Sequence, residues 1–112
     1  MLLVDDDVVF TFLNQKVIRA LSFVDEIYTA QNGQQALELL SESIEGSRSL
    51  PDIILLDLNM PILDGFGFLE AFKSIDLPNK SQVKIIIVTS SMHPEDIQRA
   101  LDYGVTSYLT KP

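Results

Sequence analysis

Short apolar runs alternate with longer stretches in which apolar residues recur every three or four positions. The clearest run is Ile53-Ile54-Leu55-Leu56, bounded by Pro51 and Pro61 and leading straight into Asp57. A short apolar run between breakers fits a strand buried on both faces, as in a parallel sheet, here predicted over Asp52 to Asp57. Met1 to Val4 has the same form and runs into Asp5-Asp6-Asp7. Val24 to Ala30, Val83 to Val88 and Thr106 to Thr110 complete five predicted strands, rich in Val, Ile, Tyr and Thr.

The intervening stretches carry helical spacing. Val8 to Leu21 repeats apolar residues at Val9, Leu13, Val17 and Leu21, with Asp7 as its N-cap. Gln34 to Ser43 follows the Asn32-Gly33 turn and has Ala36, Leu37 and Leu40 on one face. Phe66 to Ile75 turns Phe68, Leu69 and Phe72 inward, after a turn in which Asp64 suits a cap. Pro94 to Tyr103 has Pro in its first turn, Glu95 and Asp96 to complement the helix dipole, and Gly104 beyond its end. Residues 43–50 and 76–82 read as loops. Strictly alternating strands and helices imply βαβ units with right-handed crossovers. The expectation is a doubly wound α/β domain over 1–112, its five-stranded parallel sheet covered by helices on both faces. A helix is expected after the fifth strand to cover one side of that sheet; the sequence stops at Pro112, before it.

Composition narrows the chemistry. There is no Cys, so disulfides and thiolate metal sites are out. The net charge of −8 opposes nonspecific nucleic-acid binding, which needs Lys and Arg against phosphates. No apolar run approaches a membrane span and no signal-peptide pattern is present, so a cytoplasmic protein with no membrane insertion is expected. Part of the acidity is concentrated at strand ends. In a parallel sheet Asp5, Asp6 and Asp7, then Asp57, then Thr89 and Ser90, then Lys111 share the carboxyl edge, where open α/β sheets bind ligands. Neighbouring strands lie about 4.8 Å apart, so these carboxylates would repel unless a cation intervened. An all-oxygen donor set favours Mg²⁺. Metal, ammonium and hydroxyl together suit a phosphoryl group, and a carboxylate can be its nucleophile. Asp57 on the central strand is the best candidate, Asp5 and Asp6 suit the metal, and Asp7 reads as a cap. Taken alone, Thr89 can cap a turn, Tyr108 is a half-buried strand aromatic, and the lone His93 is a solvated loop residue.

Four motifs in order, Leu-Val-Asp-Asp-Asp at 3–7, Leu-Leu-Asp-Leu-Asn-Met-Pro-Ile-Leu-Asp-Gly at 55–65, Ile-Ile-Val-Thr-Ser-Ser at 86–91 and Tyr-Leu-Thr-Lys-Pro at 108–112, resemble the receiver domain of two-component response regulators, a flavodoxin-like fold of the chemotaxis type. The resemblance covers the whole sequence. It implies sheet order 2-1-3-4-5. It implies Asp57 as phosphoacceptor; Asp5, Asp6, Asp57 and the Asn59 backbone carbonyl around Mg²⁺; and Thr89, Ser90, Lys111 and Tyr108 as phosphate-binding and switch residues. It also implies a frequent cis bond before Pro112, a sensor histidine kinase or histidine phosphotransfer protein as donor, and a downstream output domain or protein. Such a chain is a signalling phosphoprotein rather than an enzyme, with at most slow self-phosphorylation and self-dephosphorylation. Ser90 departs from the family's usual Ala but stays small.

Two other readings compete. A phosphohydrolase of the haloacid-dehalogenase type would want an acid two residues after its nucleophile, where Asn59 stands and cannot deliver a proton. A phosphorylation-independent binding module would not need Asp5, Asp6, Asp57, Thr89 and Lys111 together. Nucleotide binding lacks a phosphate-loop motif.

Overall fold

The structure is a computed structural model that describes residues 1–21, 26–44, 50–77 and 80–111. Five strands, β1 (Leu2–Val4), β2 (Tyr28–Ala30), β3 (Ile53–Leu56), β4 (Lys84–Thr89) and β5 (Ser107–Thr110), form one parallel sheet in the order β2-β1-β3-β4-β5. Four helices, α1 (Val8–Arg19), α2 (Gly33–Ile44), α3 (Gly65–Ser74) and α4 (Pro94–Asp102), make the crossovers, and a 3-10 turn at Lys80–Gln82 precedes β4. The doubly wound architecture and strand order expected from the sequence are both present.

Local chemistry sets the helix ends. Asp7 accepts from the Phe10 N–H at 3.0 Å, and Asp64 accepts from the Gly67 N–H at 2.8 Å. Each satisfies one of the amide donors that a helix start leaves free. Gly104, at φ +84°, takes the left-handed position after α4, where a side chain would be strained. Gly65 is required for space: a Cβ there would lie 2.5 Å from the Asp57 carbonyl oxygen. Its absence lets α3 start directly against the end of β3, and the Gly65 N–H donates to Leu58 O at 3.0 Å.

The sheet's two faces are covered unequally. Leu2, Val4, Ile54, Leu56, Ile85 and Ile87 pack with Ala36, Leu40, Phe66, Phe68, Leu69, Phe72 and Ala100 of α2, α3 and α4 into one core. Phe68 is fully buried at its centre. On the other face α1 lies near β1 and β3, where Phe10, Thr11 and Asn14 line a small cavity with Leu3, Leu55 and Val88. Leu55, Ile86 and Val88 are only half-buried, and Leu109 is exposed.

The spacing-of-four stripe of α1 does not face this sheet. Val9, Leu13, Val17 and Leu21 are exposed, and the buried position of the helix is Ile18. Phe10, Thr11, Asn14 and Gln15 are half-buried. A repeat of four marks an apolar ridge without saying what lies over it. Other boundaries move by a few residues. β2 is confined to Tyr28–Ala30, and the predicted start at Val24 falls outside the described residues. β4 begins at Lys84 rather than Val83, and Asp57 stands just after β3 rather than within it. The bond before Pro112 also falls outside the described residues.

Candidate functional site

The site is built at the carboxyl edge by the sheet register. Val4 pairs with Ala30 on one side and Leu56 on the other, so Asp5 and Asp57 leave neighbouring strands at the same level. The Asp5 N–H donates to Ala30 O and the Asp57 N–H to Val4 O, each at 2.9 Å, which carries the ladder one step beyond the strands and fixes both acids. Thr89 pairs with Thr110, and the Lys111 N–H donates to Thr89 O at 2.7 Å. Lys111 is thereby held beside the end of β4.

The side chains converge. Oxygens of Asp5, Asp6 and Asp57 all lie within 4.8 Å of one another. Asp5 and Asp57 are buried, and Asp6 is exposed. The Lys111 ammonium sits 2.8 Å from Asp5 Oδ2 and 3.5 Å from Asp57 Oδ2, bridging the two buried acids. Asp5 Oδ1 accepts from the Asp7 N–H at 2.9 Å, and Asp57 Oδ1 accepts from the Asn59 N–H at 3.4 Å.

Electrostatics records the strain of this crowding. Burial pushes the Asp5 carboxyl above its ordinary value; the Lys111 hydrogen bond and the Asp7 amide pull it down, and the nearby Asp57 charge adds to the rise. Burial would lower the Lys111 ammonium, but the hydrogen bond to Asp5 and the charges of Asp57 and Asp5 outweigh it, so its value is raised. One ammonium therefore stays charged while serving two carboxylates, and the cluster keeps unbalanced negative charge. Three carboxylates at this spacing, one of them open to solvent, fit a hard divalent cation that retains water ligands.

Around this centre, Thr89 is fully buried and its Oγ1 accepts from the Ser91 N–H at 3.4 Å. Tyr108 is half-buried and donates its hydroxyl to Ser91 O at 2.9 Å. Ser91 Oγ donates to Asp96 Oδ2 at 2.6 Å, joining the loop after β4 to α4. Ser90 and Asn59 are exposed. Asp7 turns away to cap α1, and the exposed His93 begins α4 without a side-chain cap. Sequence reasoning missed two neighbours. Phe10 lies with its ring centroid 4.3 Å from the Lys111 ammonium, and Asp96 takes the Ser91 hydroxyl. Only the fold brings Phe10 to Lys111, so spacing carried no sign of that contact, whereas Asp96 lies five residues after Ser91 at the start of α4, where sequence alone reads it only as a charge complementing the helix dipole.

The family model described as "Response regulator receiver domain" matches residues 1–112. The chain belongs to the response regulator receiver domain family. Receiver domains are signalling domains of two-component response regulators and bind divalent metal. The chain is 33% identical over 111 residues to the "Probable methanogenesis regulatory protein FilR2" of Methanothrix harundinacea, covering 99% of this chain and 70% of that protein. Among solved structures, the Mn²⁺-bound response regulator Rcp1 superposes with a TM-score of 0.86 at 30% identity, over 99% of this chain and 79% of that one. The phosphorylated cyanobacterial phytochrome response regulator RcpA gives 0.85 at 30% identity, with the same coverage. This receiver domain thus resembles one protein seen with a divalent cation and another seen phosphorylated. Among its described residues, no helix is long and apolar enough to cross a membrane.

Proposed function

We propose that this receiver domain takes a phosphoryl group on Asp57 and uses it as a reversible signal. The observation that carries the reading is the buried Asp5–Lys111–Asp57 bridge beside the exposed Asp6. Asp5, Asp6, Asp57 and the Asn59 backbone carbonyl would hold Mg²⁺. Bound there, the cation would neutralise charge on the transferring phosphoryl group. An Asp57 carboxylate oxygen attacks phosphorus, a P–O bond forms, and the P–N bond of a phosphohistidine breaks. The imidazole leaves with the electron pair and takes up a proton. A small acyl phosphate can donate in the same way, losing its P–O bond.

The added charge would draw the Lys111 ammonium and the Thr89 hydroxyl, beside the small Ser90. Moving Thr89 strips the Ser91 N–H of its acceptor, and Ser91 is also the contact of Tyr108. The surface of β4, α4 and β5 would change with it, and partners would select the phosphorylated population. The donor would be a cytoplasmic histidine kinase or histidine phosphotransfer protein, and the reader an output domain or protein. Direct nucleic-acid binding by this domain is not expected at its charge of −8. We take 1–112 as one receiver unit.

The test is intact mass after incubation with Mg²⁺ and acetyl phosphate, alongside Asp57→Asn. A gain of one phosphoryl group, absent in the variant and without Mg²⁺, is the expected result. Absence of any gain together with absence of Mg²⁺ binding would leave a phosphorylation-independent binding module.

A further inference from the structure

We propose that Phe10 is a positioning residue for the phosphoryl seat: its ring face holds the Lys111 ammonium between Asp5 and Asp57. The proposal rests on the phosphoacceptor reading above. Three contacts define where that ammonium sits, Asp5 at 2.8 Å, Asp57 at 3.5 Å and the Phe10 ring centroid at 4.3 Å. An ammonium has three hydrogens, and the two carboxylates do not exhaust its attraction to negative charge. The face of an aromatic ring is negative and attracts a cation at this distance.

The ring is fixed in place. Phe10 belongs to the first turn of α1, where its N–H donates to Asp7 Oδ1 at 3.0 Å. Its carbonyl accepts from Asn14 Nδ2 at 2.8 Å. The side chain faces the sheet beside Asp57, Leu55 and Val88 and is half-buried. Other cations lie on rings in this fold, Lys16 on Phe12 and Lys80 on Phe72, but those lysines do not touch the acids.

The consequence concerns selectivity among the lysine's partners. Asp5 and Asp57 are the acids that a cation and a phosphoryl group would also engage. Lysine has a long stem with many rotamers, so an ammonium that loses a carboxylate is free to swing into solvent. The ring's attraction does not depend on the state of either acid. Phe10 keeps Lys111 at the seat while the acids change partners. A leucine there would fill similar space without the charge attraction.

The experiment combines two readouts. In the metal-free protein, ring current from Phe10 should shift the Lys111 ε-methylene protons upfield, and Phe10→Leu should return them to ordinary values. With Mg²⁺, the affinity for beryllofluoride, a phosphoryl mimic, should fall about threefold to tenfold in Phe10→Leu. Phe10→Tyr should restore it. On a Lys111→Ala background, Phe10→Leu should cause no further loss. An unshifted methylene, or a Phe10→Leu loss that persists in the double variant, would overturn the proposal in favour of packing. A wild-type protein that binds Mg²⁺ but no beryllofluoride removes the phosphoryl seat itself, and an upfield methylene in that protein would leave only the Phe10–Lys111 contact.

Discussion

The Tyr108 hydroxyl donates to the backbone carbonyl of Ser91 at 2.9 Å, and this bond ties β5 to the loop that follows β4. Ser91 also donates its N–H to Thr89 and its hydroxyl to Asp96. One residue thus touches the buried hydroxyl beside the acids, the start of α4 and the aromatic of β5. Tyr108→Phe keeps the ring and removes the donor, leaving a half-buried carbonyl short of a partner. The expected cost is about 1 kcal/mol. Urea denaturation at equilibrium checks it, with an unchanged slope showing that only the native contact was lost.

Asp6 is the exposed member of the acidic triad and takes no part in the Lys111 bridge. Its charge can therefore be removed without unpairing a buried group. Asp6→Asn is expected to weaken Mg²⁺ binding by about tenfold or more. The metal-free stability should stay within about 0.5 kcal/mol of wild type, as for surface changes generally. Calorimetric titration with Mg²⁺ and urea denaturation in EDTA measure the two separately.

Asp5 should behave in the opposite way. Its carboxyl is raised from the ordinary 3.8, first by burial, so the folded state holds a proton there more tightly than the unfolded chain. Stability without metal then falls as pH rises from about the ordinary carboxylate value through the raised one. Above that window the penalty is constant; below it the penalty is absent. Asp5→Asn carries no such charge. In EDTA its melting temperature should exceed wild type at neutral pH, and the gap should close as pH falls through the carboxylate range. Added Mg²⁺ should stabilise the wild type more than the variant, by mass action on the folded state. Melting temperatures equal at pH 7 in EDTA would contradict this.

The convergence of the acids and Lys111 was legible because it depends on very little. Apolar runs ending in Asp5, Asp57, Thr89 and Lys111, strung on a strand–helix alternation, must share an edge once the sheet is parallel. What the pattern could not supply was the partner of each apolar surface. Val9, Leu13, Val17 and Leu21 make a perfect ridge by spacing, yet they are exposed, because the sheet takes Ile18 and the flank bearing Phe10 and Asn14. Phe10 gave no signal at all; its contact with Lys111 spans nearly the whole chain. Strand edges moved by one residue at Val83, which is apolar but precedes the first ladder pair Ile53–Lys84, and at Asp57, the acid that follows the last pair Val4–Leu56.

Phe68 tests the other face. It is fully buried and stacks on Phe72 with ring centroids 5.8 Å apart. Phe68→Ala removes a large buried side chain from a core that cannot close around it, at a cost of about 3–5 kcal/mol. That is a large share of the roughly 5–15 kcal/mol that holds a domain of this size together. Thermal unfolding should show a broad drop in melting temperature, and Phe68→Leu should recover most of it.

Ile62 is the last case, and it runs against the usual direction of mutation. It is β-branched, 84% exposed, and held at φ +67°. The Leu63 N–H donates to Pro61 O at 2.7 Å, closing a γ-turn about Ile62 in its rare positive-φ form. A side chain branched at Cβ is costly there, and its exposure returns little burial in exchange. Glycine removes the Cβ clash but makes the unfolded chain more flexible. The clash, about 1–2 kcal/mol, is the larger of the two. Ile62→Gly should therefore stabilise the protein by about 0.5–1 kcal/mol. Ile62→Val keeps the branch and should give no gain. Urea midpoints for the pair decide it: a Gly variant no more stable than the Val variant would mean that the turn relaxes in solution and that Ile62 is not strained.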